Sequence, residues 1–387
     1  METLAATQVQ MIKRSDKARQ EGSSSTLTRV LVFNFFGGVM DRGIPLYARD
    51  IAECMRRVGA EPIELRCPRW LRGSPRLLRN AAFAVYEQIV APVVRVLRGC
   101  SITVYPYNSA GIVDAMLGRS VVVVHDLIGN GRANSTFAAR YIRYTQSIHR
   151  RLERPVCAAS AHTLRHLRQL PAFRRCALRL WSNPFYSFEK AIADRDLAPP
   201  RGGGGRLRVL LCSGIGPNKD FAGAVHLFRD SQLLRDAELR IVGFGDDAHL
   251  AEHRIEKLPL AIRRRISVLP RLSLTELVAE YAASDLVWVH SRKEGFGRSV
   301  VEARLLDRPV LASNISAFRR FRGMGVYLYP RGHFDAGVSR VLHGQPAPRI
   351  DTSTFHAPLE TAVRDVLGLR SVGLNSKAEA AQNELSS

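Results

Sequence analysis

Short apolar runs alternate along the chain with longer amphipathic ones. Residues 29–36, RVLVFNFF, are rich in β-branched and aromatic side chains and read as a strand. Residues 44–59 have helical spacing, with Ile44, Ala48, Ile51, Ala52, Met55 and Val58 on one side and Gly59 as a stop. Further strands are predicted at 61–66 (EPIELR), 101–106 (SITVYP), 120–126 (SVVVVHD) and 155–160 (PVCAAS), each followed by a helical stretch. RGGGGR at 201–206 interrupts the pattern, because four glycines in a row support neither helix nor strand. Preceded by DRDLAPP, it reads as a linker. The alternation then resumes. Strands are predicted at 206–214, 238–245 and 285–291, and helices at 221–230 and 273–284. The second of these helices opens with Ser273 as N-cap and Glu276 completing a capping box.

Repeated strand–helix units argue for parallel sheets covered by helices on both faces. A chain of 387 residues fits two domains at ~150 residues each. The expected fold class is therefore α/β, with two Rossmann-like, doubly wound domains facing each other across a cleft. The expected division is a mobile tail at 1–27, a first domain at 28–190, a linker at 191–206, a second domain at 207–355, and a C-terminal helix and tail at 356–387. The first 27 residues are polar and carry no apolar h-region, so they do not read as a secretory signal. No uncharged apolar run reaches the ~18 residues a membrane-spanning helix needs.

Charge narrows the partners. The formal net charge is +22, and lysine occurs only at 13, 17, 190, 219, 257, 293 and 377, so arginine dominates. That excess points to an anionic partner: nucleic acid, an acidic lipid surface or a phosphorylated substrate. Aromatics are only 7% and no nucleic-acid-binding module is visible, which argues against nucleic acid. The six cysteines form no C-x-x-C pair and no zinc-type cluster with histidine, so they read as reduced thiols of a cytoplasmic protein. Arg56, Arg57, Arg66, Arg69, Arg72, Arg76, Arg79, Arg95 and Arg98 crowd into the first domain around Trp70 and Leu71. A basic face with an apolar edge suits an anionic membrane surface, and solvated arginines on a core helix suit the same residues.

Open α/β sheets bind ligands at the carboxyl ends of their strands, so the strand ends hold the candidate chemistry. After the first strand comes GGVMDRG, where Gly37, Gly38 and Gly43 surround a helix entry. Such glycines let backbone approach an anion, or make a plain turn. His125 and Asp126 end a later strand; the imidazole can reach a ligand or be satisfied by local backbone. SGIGPNKD at 213–220 places Lys219 at a helix start, where a cation complements a diphosphate, though it lacks the G-K-[ST] of a P-loop. Asp246 and Asp247 read as helix-capping residues rather than metal ligands.

The densest stretch is 291–314, SRKEGFGRSVVEARLLDRPVLASN. Glu294 falls in a loop at a strand end, Gly295 and Gly297 let that loop wrap closely, and a helix starts near Arg298 and Ser299. Glu302 lies about one turn in. Two carboxylates can accept from paired hydroxyls, while the helix N-terminus between them suits a pyrophosphate. The implied ligand is a sugar, a diphosphate and a ribose in series.

The block E-G-F-G-x-x-x-x-E-A followed by RPVLASN resembles the E-x7-E motif of retaining glycosyltransferase family four (glycosyl transferases group 1), which has the GT-B fold. The stretch VLPRLSLTELVAEYAASDLVWVHS, the HDL after VVVV, CAASAHTLRHL, WSNP and GIPLYARDIAE resemble other parts of that family, so the likeness covers most of 28–330. The resemblance implies transfer of a sugar, with retention, from a UDP- or GDP-linked donor to a glycan or lipid-linked glycan acceptor, in surface polysaccharide or lipopolysaccharide biosynthesis. It implies Glu294 and His125 at the reacting sugar, Glu302 on the ribose, and Lys219 on the diphosphate. The backbone of Gly295, Phe296 and Gly297 would also contact the donor, with Gly214 and Arg298. The Gly37, Gly38 and Gly43 loop would border acceptor and phosphates. No metal and no other cofactor is implied, because cationic side chains and the helix dipole offset leaving-group charge.

The implied location is the cytoplasm, or the inner face of the cytoplasmic membrane. One departure stands out. The family carries an arginine a few residues before the loop lysine, and this chain has Ile215 there. Phosphate binding then leans on Lys219 and a second cation such as Arg292 or Arg298. Without a substitute, the chain would be a non-catalytic nucleotide- or carbohydrate-binding relative. An epimerase or phosphorylase of the same fold is a third reading; a phosphorylase would need a cofactor lysine in the second domain, where lysines are few.

Overall fold

The computed structural model describes residues 27–37, 43–71, 74–127, 136–195, 205–330, 332–345 and 347–369. The strands of the first half are β1 (Thr28–Phe33), β2 (Ala60–Leu65), β3 (Ile102–Tyr105), β4 (Ser120–Val124), β5 (Val156–Ala158) and β6 (Leu178–Leu180). Those of the second half are β7 (Arg208–Cys212), β8 (Glu238–Val242), β9 (Ile266–Val268), β10 (Leu286–Val289), β11 (Val310–Ser313) and β12 (Val326–Tyr329). Each half forms one six-stranded sheet, ordered β2-β1-β3-β4-β5-β6 and β12-β11-β10-β7-β8-β9. Every strand pair is parallel. The GT-B arrangement of two doubly wound sheets is thus present.

The helices in chain order are α1 (Ile44–Arg57), α2 (Arg76–Val85), α3 (Ala91–Leu97), α4 (Ile112–Met116), α5 (Phe137–Arg151), α6 (Ala161–Gln169) and α7 (Tyr186–Ala193). They continue with α8 (Phe221–Asp230), α9 (Ala248–Ile255), α10 (Leu260–Arg263), α11 (Leu274–Ala282), α12 (Arg298–Leu305), α13 (Ser316–Arg319), α14 (Phe334–Leu342) and α15 (Ser353–Leu367). A π-turn at Tyr86–Val90 joins α2 to α3. The capping box on α11 is present, Ser273 accepting from the Glu276 amide and Glu276 accepting from the Ser273 amide.

The central strands read as continuous apolar runs because both sheet faces are covered. Val121–Val124 and Val209–Leu211 are fully buried or nearly so. The last helix, α15, returns to the first domain: Leu359 and Val363 are fully buried against Tyr47, Ile51 and Met55 of α1. Among the described residues no helix is long and apolar enough to cross a membrane.

In an open sheet the crevice forms where strand order reverses, here between β1 and β3 in the first half and between β7 and β10 in the second. The segments after β4, β7 and β10 and the entry to α1 line one cleft.

Candidate functional site

The second half builds its side of the cleft from two stitched loops. Beyond β7, residues 213–216 lead into a tight turn at Pro217–Lys219. The Arg292 amide donates to the Asn218 carbonyl at 2.7 Å, and the Asn218 side chain donates to the Lys293 carbonyl at 3.2 Å. These bonds hold the turn against the loop after β10. Lys219 Nζ then donates to Glu294 Oε1 at 2.5 Å, and Ser291 Oγ donates to the same oxygen at 2.9 Å.

Gly297 opens α12 with φ +95°, and a Cβ there would lie 2.5 Å from the Phe318 ring. Both constraints favour glycine. Glu302 sits one turn into α12, buried, its Oε2 accepting from the Tyr281 hydroxyl at 3.0 Å. Burial above all, with Cys212 and the Glu302 carboxylate beside it, pushes the Tyr281 hydroxyl well above its ordinary range, so it stays a donor. Arg298 Nε lies 3.4 Å from the other Glu302 oxygen.

The first half contributes His125. Its amide donates to Asn108 Oδ1 at 2.7 Å, Nε2 donates to the Pro106 carbonyl at 2.9 Å, and Tyr47 packs edge-on at 4.6 Å. A carbonyl partner fixes the proton on Nε2, leaving Nδ1 as an acceptor. Burial brings the imidazole pKa down to about 4, so the ring is neutral at physiological pH. Local backbone satisfies His125, and the residue lines the cleft.

Two further contacts clamp the halves together. The Gly295 carbonyl accepts from Ser160 Oγ at 2.7 Å, and a Cβ on Gly295 would stand 2.3 Å from the His125 carbonyl oxygen. Arg298 reaches across to Asp50 of α1 at 3.2 Å and to the Pro184 carbonyl at 2.9 Å, with its guanidinium 4.6 Å above the Phe185 ring.

The resulting cleft holds about 540 Å³. It brings together Gly43, His125, Lys219, Glu294, Gly295, Phe296, Gly297, Arg298 and Glu302 from the expected set. Gly214 lies just behind, 3.6 Å from the Gly243 carbonyl oxygen as measured from a virtual Cβ. Gly37 packs on the Asn34 side chain and does not line the cleft, and Gly38 lies outside the described residues. The Phe296 ring is buried near Phe185, Phe321 and Phe355, so its backbone alone faces the cleft side.

Of the two candidate substitutes for the missing arginine, Arg292 pairs with Asp220 at 2.7 Å and lines a separate hollow. Arg298 is in the cleft but engaged by Asp50, Pro184 and Glu302. Ile215 is 53% exposed. Asp246 and Asp247 do not cap α9, which lacks a side-chain cap bond; Asp246 instead pairs with Arg271 at the cleft edge, at 2.9 Å to Nε. The sequence reading passed over Ser213, whose buried Oγ has no hydrogen-bond partner at the cleft wall. Its position inside SGIGPNKD was the available signal. It also passed over Asp50, because nothing local marks a helix aspartate as facing the other domain. Among the described residues no group of three or more His, Cys, Asp or Glu side chains comes together to hold a metal ion.

This architecture is a pair of doubly wound domains with a cleft lined from both, and comparison with known proteins agrees on the fold. Residues 203–349 match the family model described as glycosyl transferases group 1. Among solved structures, sucrose-phosphate synthase from Thermosynechococcus elongatus is similar at 15% identity and TM-score 0.59, over 93% of this chain and 98% of that one. Anabaena Alr3699/HepE in complex with UDP and glucose is similar at 16% identity and TM-score 0.55, over 93% and 100%. WaaG, a glycosyltransferase involved in lipopolysaccharide biosynthesis, is similar at 12% identity and TM-score 0.56, over 89% and 100%. A comparison with curated protein sequences finds no match. Residues 203–349 of the second half thus match the glycosyl transferases group 1 family, and the chain as a whole has the GT-B fold.

Proposed function

We propose that the protein transfers a sugar, with retention and without a metal, from a UDP- or GDP-sugar to a glycan or lipid-linked glycan acceptor. The first domain receives the acceptor and the second holds the donor. The observation that carries this reading is the Lys219–Glu294 pair beside the N-terminus of α12, with Glu302 one turn further in. Lys219 would turn from Glu294 to the diphosphate, joined by the α12 N-terminus. Glu302, held by Tyr281, would accept from the ribose hydroxyls. Ser213 Oγ, buried and unpartnered, would meet the nucleotide. Glu294 and the neutral His125, through Nδ1, would face the sugar. The work of offsetting leaving-group charge falls to these fixed groups. Retention and the biosynthetic setting, surface polysaccharide or lipopolysaccharide at the inner face of the cytoplasmic membrane, are supported by the family resemblance.

The test is thermal stability with UDP, GDP and their sugar conjugates, on wild type and Glu302→Ala. A ligand at about 100 times its Kd adds ~2.7 kcal/mol of stability. The expected result is a shift with one nucleotide, lost in the variant. No shift with any of them in folded protein overturns the transferase reading and favours a non-catalytic relative, with Ile215 as its cause.

A further inference from the structure

Helix α2, the π-turn and α3 form one continuous helical rod over 76–97, about 33 Å long at 1.5 Å per residue. Its inward side packs Phe83, Tyr86, Ala91 and Val94 into the apolar core, and also encloses charged groups. The face turned inward buries Glu87, fully enclosed and hydrogen-bonded to Ser109 and Tyr141, and Arg95, paired with buried Asp114 at 2.8 Å. The face turned outward is apolar: Leu77 is 79% exposed, Val85 50%, Ile89 60%, Val93 51%, Val96 65% and Leu97 77%.

A four-residue spacing drifts about 40° per step around an ordinary α-helix. The π-turn takes more residues per turn, and so keeps Val85, Ile89 and Val93 in line. Helix α4, packed on the π-turn and on α5, extends the patch with Val113, Met116 and Leu117, all exposed. Trp70, 71% exposed, lies in the turn preceding the rod. A contiguous exposed apolar surface of this kind marks an interaction site.

The charges around it choose the partner. Between residues 68 and 152 the acids are Glu87, Asp114 and Asp126, and the first two are buried. Arg69, Arg98, Arg119 and Arg140 are exposed. An apolar stripe whose neighbouring exposed charges are mostly arginine complements an anionic lipid bilayer. A second copy would instead set like-charged rims against each other.

We propose that the outward face of the α2–α3 rod lies in the interface of an anionic bilayer and brings the acceptor-side domain to a membrane-held acceptor. The choice of acceptor rests on the function proposed above; the docking itself does not. Trp181 and Trp288 are fully buried, so exposed Trp70 is the tryptophan free to report contact.

The experiment is sedimentation of the full chain with phosphatidylglycerol/phosphatidylcholine vesicles and with pure phosphatidylcholine vesicles, while Trp70 quenching by brominated lipid is followed. Binding is expected to the anionic vesicles alone, with Trp70 quenched and release at about 0.5 M salt. The variant Ile89→Gln/Val93→Gln/Leu97→Gln should lose at least tenfold in bound fraction at unchanged Tm. If that variant unfolds, Trp70 quenching in the wild type decides. Absence of binding to anionic vesicles, equal binding to neutral ones, unquenched Trp70, or undiminished binding of a folded variant overturns the proposal. So does a lipid-free dimer that the variant dissociates. Vesicle binding without any nucleotide-induced stabilisation sinks the transferase reading and leaves this one standing.

Discussion

Arg298 was expected at a phosphate, yet its guanidinium spans the two domains. Its partner Asp50 is fully buried and otherwise bonded to Ser187, whose amide donates at 2.8 Å. Arg298→Ala strands that carboxylate. Breaking a buried ion pair by removing one partner costs ~3–5 kcal/mol. Retention of the Ser187 bond argues for the lower end, about 3 kcal/mol. Asp50→Asn keeps the shape and the Ser187 bond, and leaves Arg298 with Glu302 and the Pro184 carbonyl. Its expected cost is about 1–1.5 kcal/mol, one hydrogen bond's worth.

If the pair acts as a unit, the double variant costs less than the sum of the single ones by about 1.5 kcal/mol. Urea unfolding of the four proteins measures this coupling. Sums agreeing within ~0.5 kcal/mol would refute the clasp. A pH arm checks the cause. Burial raises the Asp50 pKa, and Arg298 is the main group opposing that rise. Without Arg298 the folded pKa climbs further. A raised carboxyl contributes stability below the unfolded value, near 3.9, that is lost as pH rises through the folded value. The Arg298→Ala deficit should therefore be larger at pH 8 than at pH 5. A pH-independent deficit would mean that lost packing on Phe185, not a stranded charge, sets the cost.

Lys219→Met should lower kcat/KM ten- to hundredfold, the worth of a charge-assisted contact of about 1.5–3 kcal/mol, and an unchanged rate of nucleotide release would exclude Lys219 from the diphosphate. Gly295→Ala puts a methyl against the His125 carbonyl oxygen, and the backbone must give way; Tm and nucleotide affinity should both fall, with a stability loss of about 1–3 kcal/mol, whereas an unaltered Tm would mean the halves are not in contact there. His149 is buried with Nε2 donating to the Pro155 carbonyl at 3.0 Å, and burial holds its pKa at about 4. A depressed histidine contributes stability that is complete above its ordinary value of about 6.5 and is lost as pH falls towards 4, so the urea midpoint should decline over that window, less steeply in His149→Gln.

The two-domain fold was legible because each βα unit has its own period. Strand β4 with four valines, the α1 stripe and the Ser273 capping box are local facts, and local sequence encodes them. Strands β6, β9, β11 and β12 were not predicted: β6 and β9 are three-residue edge strands with exposed or half-buried side chains, whereas β11 and β12 are short buried apolar runs that lie close to other motifs. The cleft was legible at Glu294, Lys219 and Glu302, where residue type and strand-end position coincide. It was not legible at Asp50, Ser160 or Tyr281, whose partners lie far away in sequence. The rod's exposed apolar stripe escaped for a related reason: its length was visible, but which side faced inward depended on Asp114, Ser109 and Tyr141.

The stretch from Glu294 to Glu302 divides its residues between two duties. Glu294 and Glu302 present carboxylates to the cleft, while Gly295 and Arg298 bind the first domain. Glycine at 295 is demanded by the approach of the His125 backbone. Arg298 touches both sets, Asp50 on one side and Glu302 on the other. A ligand accepted by Glu302 therefore competes for, or reinforces, the same guanidinium that closes the halves. A ligand that alters this contact shifts the balance between the halves only by what it binds differently in the two states. The distance from Arg298 to Glu302, 3.4 Å, is long for a hydrogen bond and short enough to tighten, so the inter-domain clasp and the proposed donor carboxylate share one adjustable bond.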